Sequence, residues 1–494
     1  MSESLPETSG GQSAGTMPVP PPECPAHAAF AGGAKLTALY GEQAQKDPNG
    51  LYEKLRVEHG TVAPVELEGG VGAWLVLGYR ENMEASRNAA RFAHDSRLWT
   101  DWRQGRIGPE HPMAQIFGWR PDCTFADGDE HQRLRSAVGD CLAKFDRHGI
   151  RRHVQRYANQ LIDEFVETGK ADLIAQFVQD LPMLVFTRLI GLDEESGAKL
   201  IEATAGLVNG GENAVECNQF IVKTLQDLTV ARRQTPAYDL ASWFVQHPSG
   251  LTDDEVLGHL RVVLVLGNET TTSLISSTLR MVLTDPRFRA SLTGGLMTLP
   301  DAVEQMLWDE PPLLVCPARF ATHDTQLGGK DIREGDLLLL GLAAGNADPE
   351  VRPDLAAPMR GNRSHLAFSR GPHECPGQEI GRAITDTGVD VLLNRLPDLR
   401  LTVPQEQLSW TSTTWSRHLD ELPVQFAPQR RQAPQPARES VGARAAAQRS
   451  APAPELTAAA DATAAIAEVH AAAAAEQRGR GLRSVLARLF GRRR

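Results

Sequence analysis

The sequence predicts a mainly α-helical protein with small β-sheets, and two observations predict it. Apolar residues recur at helical spacing through the middle of the chain, from His153 through Phe165 and from Asp253 through Leu283. Strand-like runs are short and sit near the ends: Thr61–Val65 and Ala73–Leu77 early, then Gln326–Leu327, Asp336–Leu340 and Leu422–Phe426. Strands and helices do not alternate as βαβ units. No Walker loop or dinucleotide-binding glycine fingerprint stands out, so the chain is expected to bind no nicotinamide or flavin itself.

The 494 residues exceed the usual single-domain range, and an apolar fraction of 41% supplies a real core. Residues 1–25 are rich in Ser, Gly and Pro and read as a disordered arm. Composition is globular from about Leu36 to Phe426, within a domain set at 26–428. The segment 429–477 reads as an Ala-, Pro- and Arg-rich linker with an Ala-rich helical stretch near Ala458–Ala475. Residues 478–494 carry seven Arg and no acidic residue, with Leu482, Val485, Leu486, Leu489 and Phe490 on one helical face. This basic amphipathic helix suits an anionic membrane surface, an acidic partner, or the acidic body of the same chain.

Net charge is −11, which argues against general nucleic-acid binding. The six cysteines are scattered with no C-x-x-C spacing, against a disulfide framework or zinc site and for a reducing compartment. No apolar run reaches the roughly 18–20 residues that span a bilayer, and no basic-then-apolar signal opens the chain. The expectation is a cytoplasmic protein, peripheral at a membrane only through residues 478–494.

Chemistry concentrates in Phe368-Ser-Arg-Gly371-Pro-His373-Glu-Cys375-Pro-Gly377. A single cysteine in a Gly- and Pro-shaped loop entering a helix is what a thiolate metal ligand requires. Loop N–H groups and the positive helix end favour anionic sulfur, and glycines let the backbone approach a flat cofactor. A second feature is Leu266-Gly267-Asn268-Glu269-Thr270-Thr271, inside a long apolar stretch. Gly, acid and alcohol in mid-helix run against local propensity and suggest a helix crossing a ligand face. A third is His131-Gln-Arg-Leu-Arg135, whose His and Arg share a helical face.

The F-x-x-G-x-H-x-C-x-G pattern resembles the haem-binding loop of the cytochrome P450 family, and the resemblance covers roughly residues 36–428. Asn346-Ala-Asp-Pro349 and Leu422-Pro-Val-Gln-Phe426 match it too. It implies the P450 fold, with haem b between the oxygen-binding helix and the Cys loop. Cys375 would be the axial thiolate to iron, with Phe368, Gly371 and Gly377 shaping its loop. His131, Arg135, Arg319 and His373 would bind the haem propionates, for which Arg offers a planar fork. Thr270 would hydrogen-bond dioxygen and Glu269 would relay protons from solvent. Leu266 stands where the family usually has Ala or Gly and would crowd the space above the haem. The substrate pocket would be lined by Leu98 to Phe117, Ile201–Asn213, Leu266, Leu313, Leu314, Val315 and Thr413–Trp415.

The chain departs from the family at E-x-x-R, where Gln305-Met-Leu-Trp308 replaces both charged members. Glu304 and Leu307 are one register out and are not expected to restore the pair. Replacing a whole buried ion set by neutral groups can cost nothing, whereas stranding one member costs about 3–5 kcal/mol. The expectation is therefore a compensated substitution, with Gln305 and Trp308 filling the volume and hydrogen-bonding. The pattern resembles a small actinobacterial subgroup lacking E-x-x-R.

The resemblance implies a monooxygenase that inserts one atom of O2 into a small organic substrate. Electrons would come from a separate ferredoxin and its reductase, attracted by Arg360, Arg363, Arg370 and Arg382. The alternative is a haem-binding sensor or assembly protein with little oxygenase turnover.

Overall fold

The computed structural model describes residues 36–432, apart from 109–110, 112, 194, 201–202, 204–213, 286–293, 295–296 and 360. The N-terminal arm, the linker, the basic C-terminal segment and nearly all of Ile201–Asn213 lie outside the described residues. No described helix is long and apolar enough to cross a membrane.

The elements that carry the argument are helices α1 (Tyr79–Arg87), α2 (Gly128–Leu142), α3 (Arg147–Phe165), α4 (Asp180–Ile190), α5 (Asp253–Thr284), α6 (Leu299–Asp309) and α7 (Gln378–Arg395). α5 begins at a reciprocal cap: Glu255 N–H donates to Thr252 Oγ1 at 3.2 Å, and Thr252 N–H to the Glu255 carboxylate at 2.8 Å. Three acids in its first turn oppose the positive end of the helix dipole. The helical periodicity expected over 253–283 is this helix, and that over 153–165 is the second half of α3.

α5 packs on α4, α6 and α7, and α3 closes the bundle against α7. The apolar faces of α3, α4, α5 and α7 merge into one core, including Val154, Phe165, Phe186, Ile275, Ile384 and Leu392, while α6 packs in a separate cluster with Leu274, Met281 and Val282 of α5. Gly267 has a packing role there. A Cβ at this position would lie 2.8 Å from Phe186 Cζ, so α4's ring occupies the space the side chain would take. Close helix–helix contact is thus a reason for this glycine beside the ligand-face expectation.

A second layer is a six-stranded sheet in the order Thr37–Ala38, Val62–Leu67, Val71–Val76, Leu337–Gly341, Val315–Ala321, Phe92–Ala93. Its strand Val315–Ala321 has no counterpart among the strand-like runs of the sequence. Pro317 interrupts it, and the register against Leu337–Gly341 shifts between Cys316 and Arg319. Proline is tolerated at such a bulge while hiding the strand's pattern. A hairpin, Trp410–Ser412 with Arg417–Leu419, lies against α5.

Gly267→Ala should lower stability by about 1 kcal/mol: the gain in helix propensity, about 1 kcal/mol, is outweighed by overpacking of a rigid ring, about 1–3 kcal/mol. Thermal unfolding of the single variants and the Gly267→Ala/Phe186→Leu double variant checks this. The double should be less destabilised than the sum of the singles.

Candidate active site

Cys375 sits between a one-turn 3-10 helix, Gly371–His373, and the start of α7, where Gly377 is the N-cap residue. Its N–H donates to the Phe368 carbonyl at 2.9 Å, closing the loop. Gly371 has φ +78°, and a Cβ there would meet the Ser86 carbonyl oxygen at 2.5 Å, so the end of α1 and the loop touch backbone to backbone. A Cβ on Gly377 would meet nothing within 4 Å, which leaves the loop face open beside the cysteine. Burial pushes the Cys375 thiol up, while the Gly377 N–H, Arg135 and Arg382 pull it back toward the thiolate.

Basic groups gather beside this loop. Arg135 donates to the Glu374 carbonyl. The imidazoles of His94, His373 and His131 form one stack, with ring centroids 3.3 Å and 3.8 Å apart. Asp127 anchors it: His94 N–H donates to Asp127 Oδ2 at 2.6 Å, and His94 Nδ1 lies 2.9 Å from Oδ1. Burial lowers all three histidines, His131 to about 4, and so favours their neutral forms. Burial would raise Asp127, but the nearby His373, 3.7 Å away, and the hydrogen-bonded His94 hold it well below the usual carboxylate range.

Arg319 is 2% exposed, and its side-chain hydrogen bond among the described residues is to the Ala318 carbonyl at 2.8 Å. The Nε atoms of Arg319, His94 and His131 are buried without a hydrogen-bond partner among the described residues. A buried guanidinium with no bonded carboxylate is costly. These groups fit a flat group that brings acidic arms to the basic cluster and an iron to the cysteine. His94, Asp127 and His373 also lie close enough to share one metal ion, their ligand atoms being within 4.8 Å of one another. His94 and Asp127 were missed as site residues. Asp127 was visible before His131, but nothing in the sequence links it to a histidine 33 residues earlier.

On α5, Leu266 is 48% exposed, an uncovered apolar side chain in the middle of a core helix. Thr270 donates to the Leu266 carbonyl at 2.7 Å. Glu269 turns to another side, with Oε1 3.8 Å from His418 Nδ1, and burial raises its carboxyl. Leu314 and Val315 are buried in the sheet's own apolar cluster with Trp99, Phe117 and Trp415, while Leu313 is half-buried against a neighbouring one.

The E-x-x-R replacement is resolved as two separate networks. Gln305 Oε1 accepts from Met359 N–H at 2.9 Å and its amide donates to Asp309 at 2.9 Å. Trp308 Nε1 donates to the Asn362 carbonyl at 2.7 Å. Neutral bonds thus tie α6 to the segment preceding the Cys loop. The charge lies one residue earlier. Glu304 accepts from Arg382 Nε at 2.6 Å and Nη2 at 3.3 Å, and its Oε2 lies 3.1 Å from His365 Nε2. Two expectations are corrected here. Glu304 does enter a buried pair, with an arginine of α7 rather than one on its own helix. Arg382 is buried in that pair, not presented to a partner protein. The register of α6 alone could not reveal this, because the partner comes from 78 residues away.

No protein-family model matches the chain. It is similar to mycinamicin IV hydroxylase/epoxidase of Micromonospora griseorubida, 30% identical over 79% of this chain and 96% of the relative. It is likewise 30% identical to 6-deoxyerythronolide B hydroxylase of Saccharopolyspora erythraea, over 76% of this chain and 95% of that one. The solved structure of CYP154C4 from a Streptomyces species superposes with a TM-score of 0.70 at 27% identity, over 79% of this chain and 97% of its own. A helical bundle beside a small sheet, with one cysteine at a helix entrance, is the architecture of a haem-thiolate protein. The chain belongs to the cytochrome P450 family and is a P450 monooxygenase.

Burial would raise the Glu304 carboxyl, but hydrogen bonds from His365 and Arg382 hold it at about 2 against an ordinary 4.5. A depressed carboxyl contributes stability that is complete above pH 4.5 and lost as pH falls toward 2. Glu304→Gln should flatten the loss of stability between pH 5 and pH 3 in urea unfolding. Glu304→Ala, which leaves Arg382 only its contacts to Gln378 and the exposed Glu379, should cost about 3 kcal/mol at pH 7.

Proposed function

We propose that this protein inserts one oxygen atom of O2 into a small, largely apolar organic substrate, using haem b and electrons from a separate ferredoxin. The observation that carries the reading is the juxtaposition of Cys375, at the entrance of α7, with buried Nε atoms of Arg319, His94 and His131 that have no hydrogen-bond partner among the described residues. Haem bound through thiolate activates dioxygen for O–O cleavage. Everything else is done by side chains. Arg135, Arg319, His131 and His373 would hold the two propionates, and His94 would add a fifth group braced by Asp127. Phe368, under the Arg382 guanidinium at 4.5 Å, supports the Cys375 loop from below. With no C-x-x-C spacing to tether the macrocycle covalently, haem b is the type expected.

Thr270 lies on the same side of α5 as Leu266 and supplies a hydroxyl beside the reaction space. Glu269, kept protonated longer by burial, passes protons toward it. Leu266 narrows the pocket, so smaller or flatter substrates are favoured over those that need a wide distal space. Arg363, 58% exposed although ion-paired with Glu304 and Glu379, and the half-buried Arg370, paired with Glu374, are the described members of the arginine set beside the Cys loop placed to meet an acidic ferredoxin. The neutral tethers of Gln305 and Trp308 keep the loop's foundation without E-x-x-R and favour the enzyme over a sensor with a disabled site.

The reduced, carbon monoxide-treated protein should show the thiolate-type Soret band, and Cys375→Ala should abolish it. A band of the imidazole or thiol type in the wild type would overturn the assignment of Cys375. Arg319→Met should speed transfer of haem to apomyoglobin about tenfold or more, by removing a charged hydrogen-bond donor worth roughly 1.5–3 kcal/mol. An unchanged transfer rate would exclude Arg319 from propionate binding.

A further inference from the structure

α5 presents a second polar face, distinct from the one that carries Thr270. Glu269, Thr272, Ser273 and Ser276 recur at i, i+3, i+4 and i+7, so they line one side of the helix. This side meets Gln179, at the start of α4, and His418, in the hairpin strand Arg417–Leu419. Between them is a cavity of about 20 Å³. A single water needs roughly 10–15 Å³ and two to four polar partners. Both are present.

The surrounding atoms await such a partner. His418 Nδ1 and Nε2 and Thr272 Oγ1 are buried with no hydrogen-bond partner among the described residues. Leaving such a group unmet costs about 1–3 kcal/mol. His418 Nδ1 stands 3.8 Å from Glu269 Oε1, too far for a direct hydrogen bond and suited to one bridging molecule. The two side chains keep 13% and 20% of their surface exposed, although both ring nitrogens of His418 are buried. A π-helical turn, Ile174–Val178, immediately precedes Gln179. Such turns are rare and are frequent at functional sites.

We propose that this cavity is a water site and that His418, through that water, resupplies Glu269 with protons. The inference rests on the reading of Glu269 as the relay acid and adds its source. In the step, the His418 imidazolium gives an N–H proton to the water oxygen as the water passes one of its own protons to the Glu269 carboxylate. His418 is left neutral and recovers a proton through water that enters the cavity, since both of its ring nitrogens are buried. No electrons move. His418 is a proton-supplying residue that touches neither substrate nor haem.

The test uses the haem-loaded full chain with a ferredoxin, its reductase and NADH. Oxygen consumption and hydrogen peroxide release are followed in H2O and in D2O, which requires no identified substrate. His418→Ala should slow oxygen consumption about tenfold and raise the solvent isotope effect above that of the wild type, with the carbon monoxide band unchanged. His418→Gln should behave like His418→Ala, because an amide can hold the water but cannot deliver the proton. Recovery of wild-type rate and isotope effect by His418→Gln would mean a merely structural role and overturn the proposal. Unchanged kinetics in both variants would overturn it as well, while leaving the oxygenase reading standing. A wild type that reduces no oxygen would overturn both readings together. Independently of turnover, a crystal structure of the haem-loaded protein should place a water within hydrogen-bond distance of Glu269 and His418, and its absence there would count against the site.

Discussion

The buried carboxylate of Glu304 is the constraint around which the site is built. An ion so placed must be matched by a counter-charge and by hydrogen bonds on its remaining lone pairs. Arg382 supplies the first as a two-pronged contact and His365 the second. These three residues belong to α6, to the segment leading into the Cys loop, and to α7. Satisfying one charge therefore fixes the relative positions of the three pieces that surround Cys375. Phe368 packs under the Arg382 guanidinium, which extends the same constraint into the loop itself.

This arrangement explains how the chain does without E-x-x-R. Two tasks usually joined in one ion pair are divided. Glu304 and Arg382 carry the charge and the helix-to-helix connection. Gln305 and Trp308 connect α6 to the segment before the loop through neutral hydrogen bonds, beside the Arg352–Asp309 ion pair at 2.7 Å. Neither set leaves a charge stranded, the condition under which an ionic network can be exchanged without loss of stability.

The faces of α5 show a similar division of labour. Leu266 and Thr270 lie beside the open space, Gly267 admits the ring of Phe186, and Glu269 belongs to the side that meets the Arg417–Leu419 hairpin. A helix advances about 100° per residue, so neighbouring positions in sequence serve different surfaces. That is why the run from Leu266 to Thr270 read as one motif although its members have separate tasks. The acid and the alcohol were legible as residue types. The packing partner of the glycine was not, since it lies in α4. The stack of His94, His373 and His131 likewise draws on three distant segments, of which two carried a recognisable pattern.

The sequence by itself determined the helical character, through long runs of 3.6-residue periodicity, and the haem-thiolate chemistry, through one cysteine held among glycines and prolines at a helix start. Both are local properties, written within a few turns of chain. Tertiary structure decided which buried charges meet. It paired Glu304 with Arg382 across 78 residues, set His94 on Asp127, brought His418 to Glu269, and hid a strand whose proline sits at a bulge. Charge pairing in a core depends on distance in space and on exclusion of water, and neither is encoded in the spacing of residues along the chain.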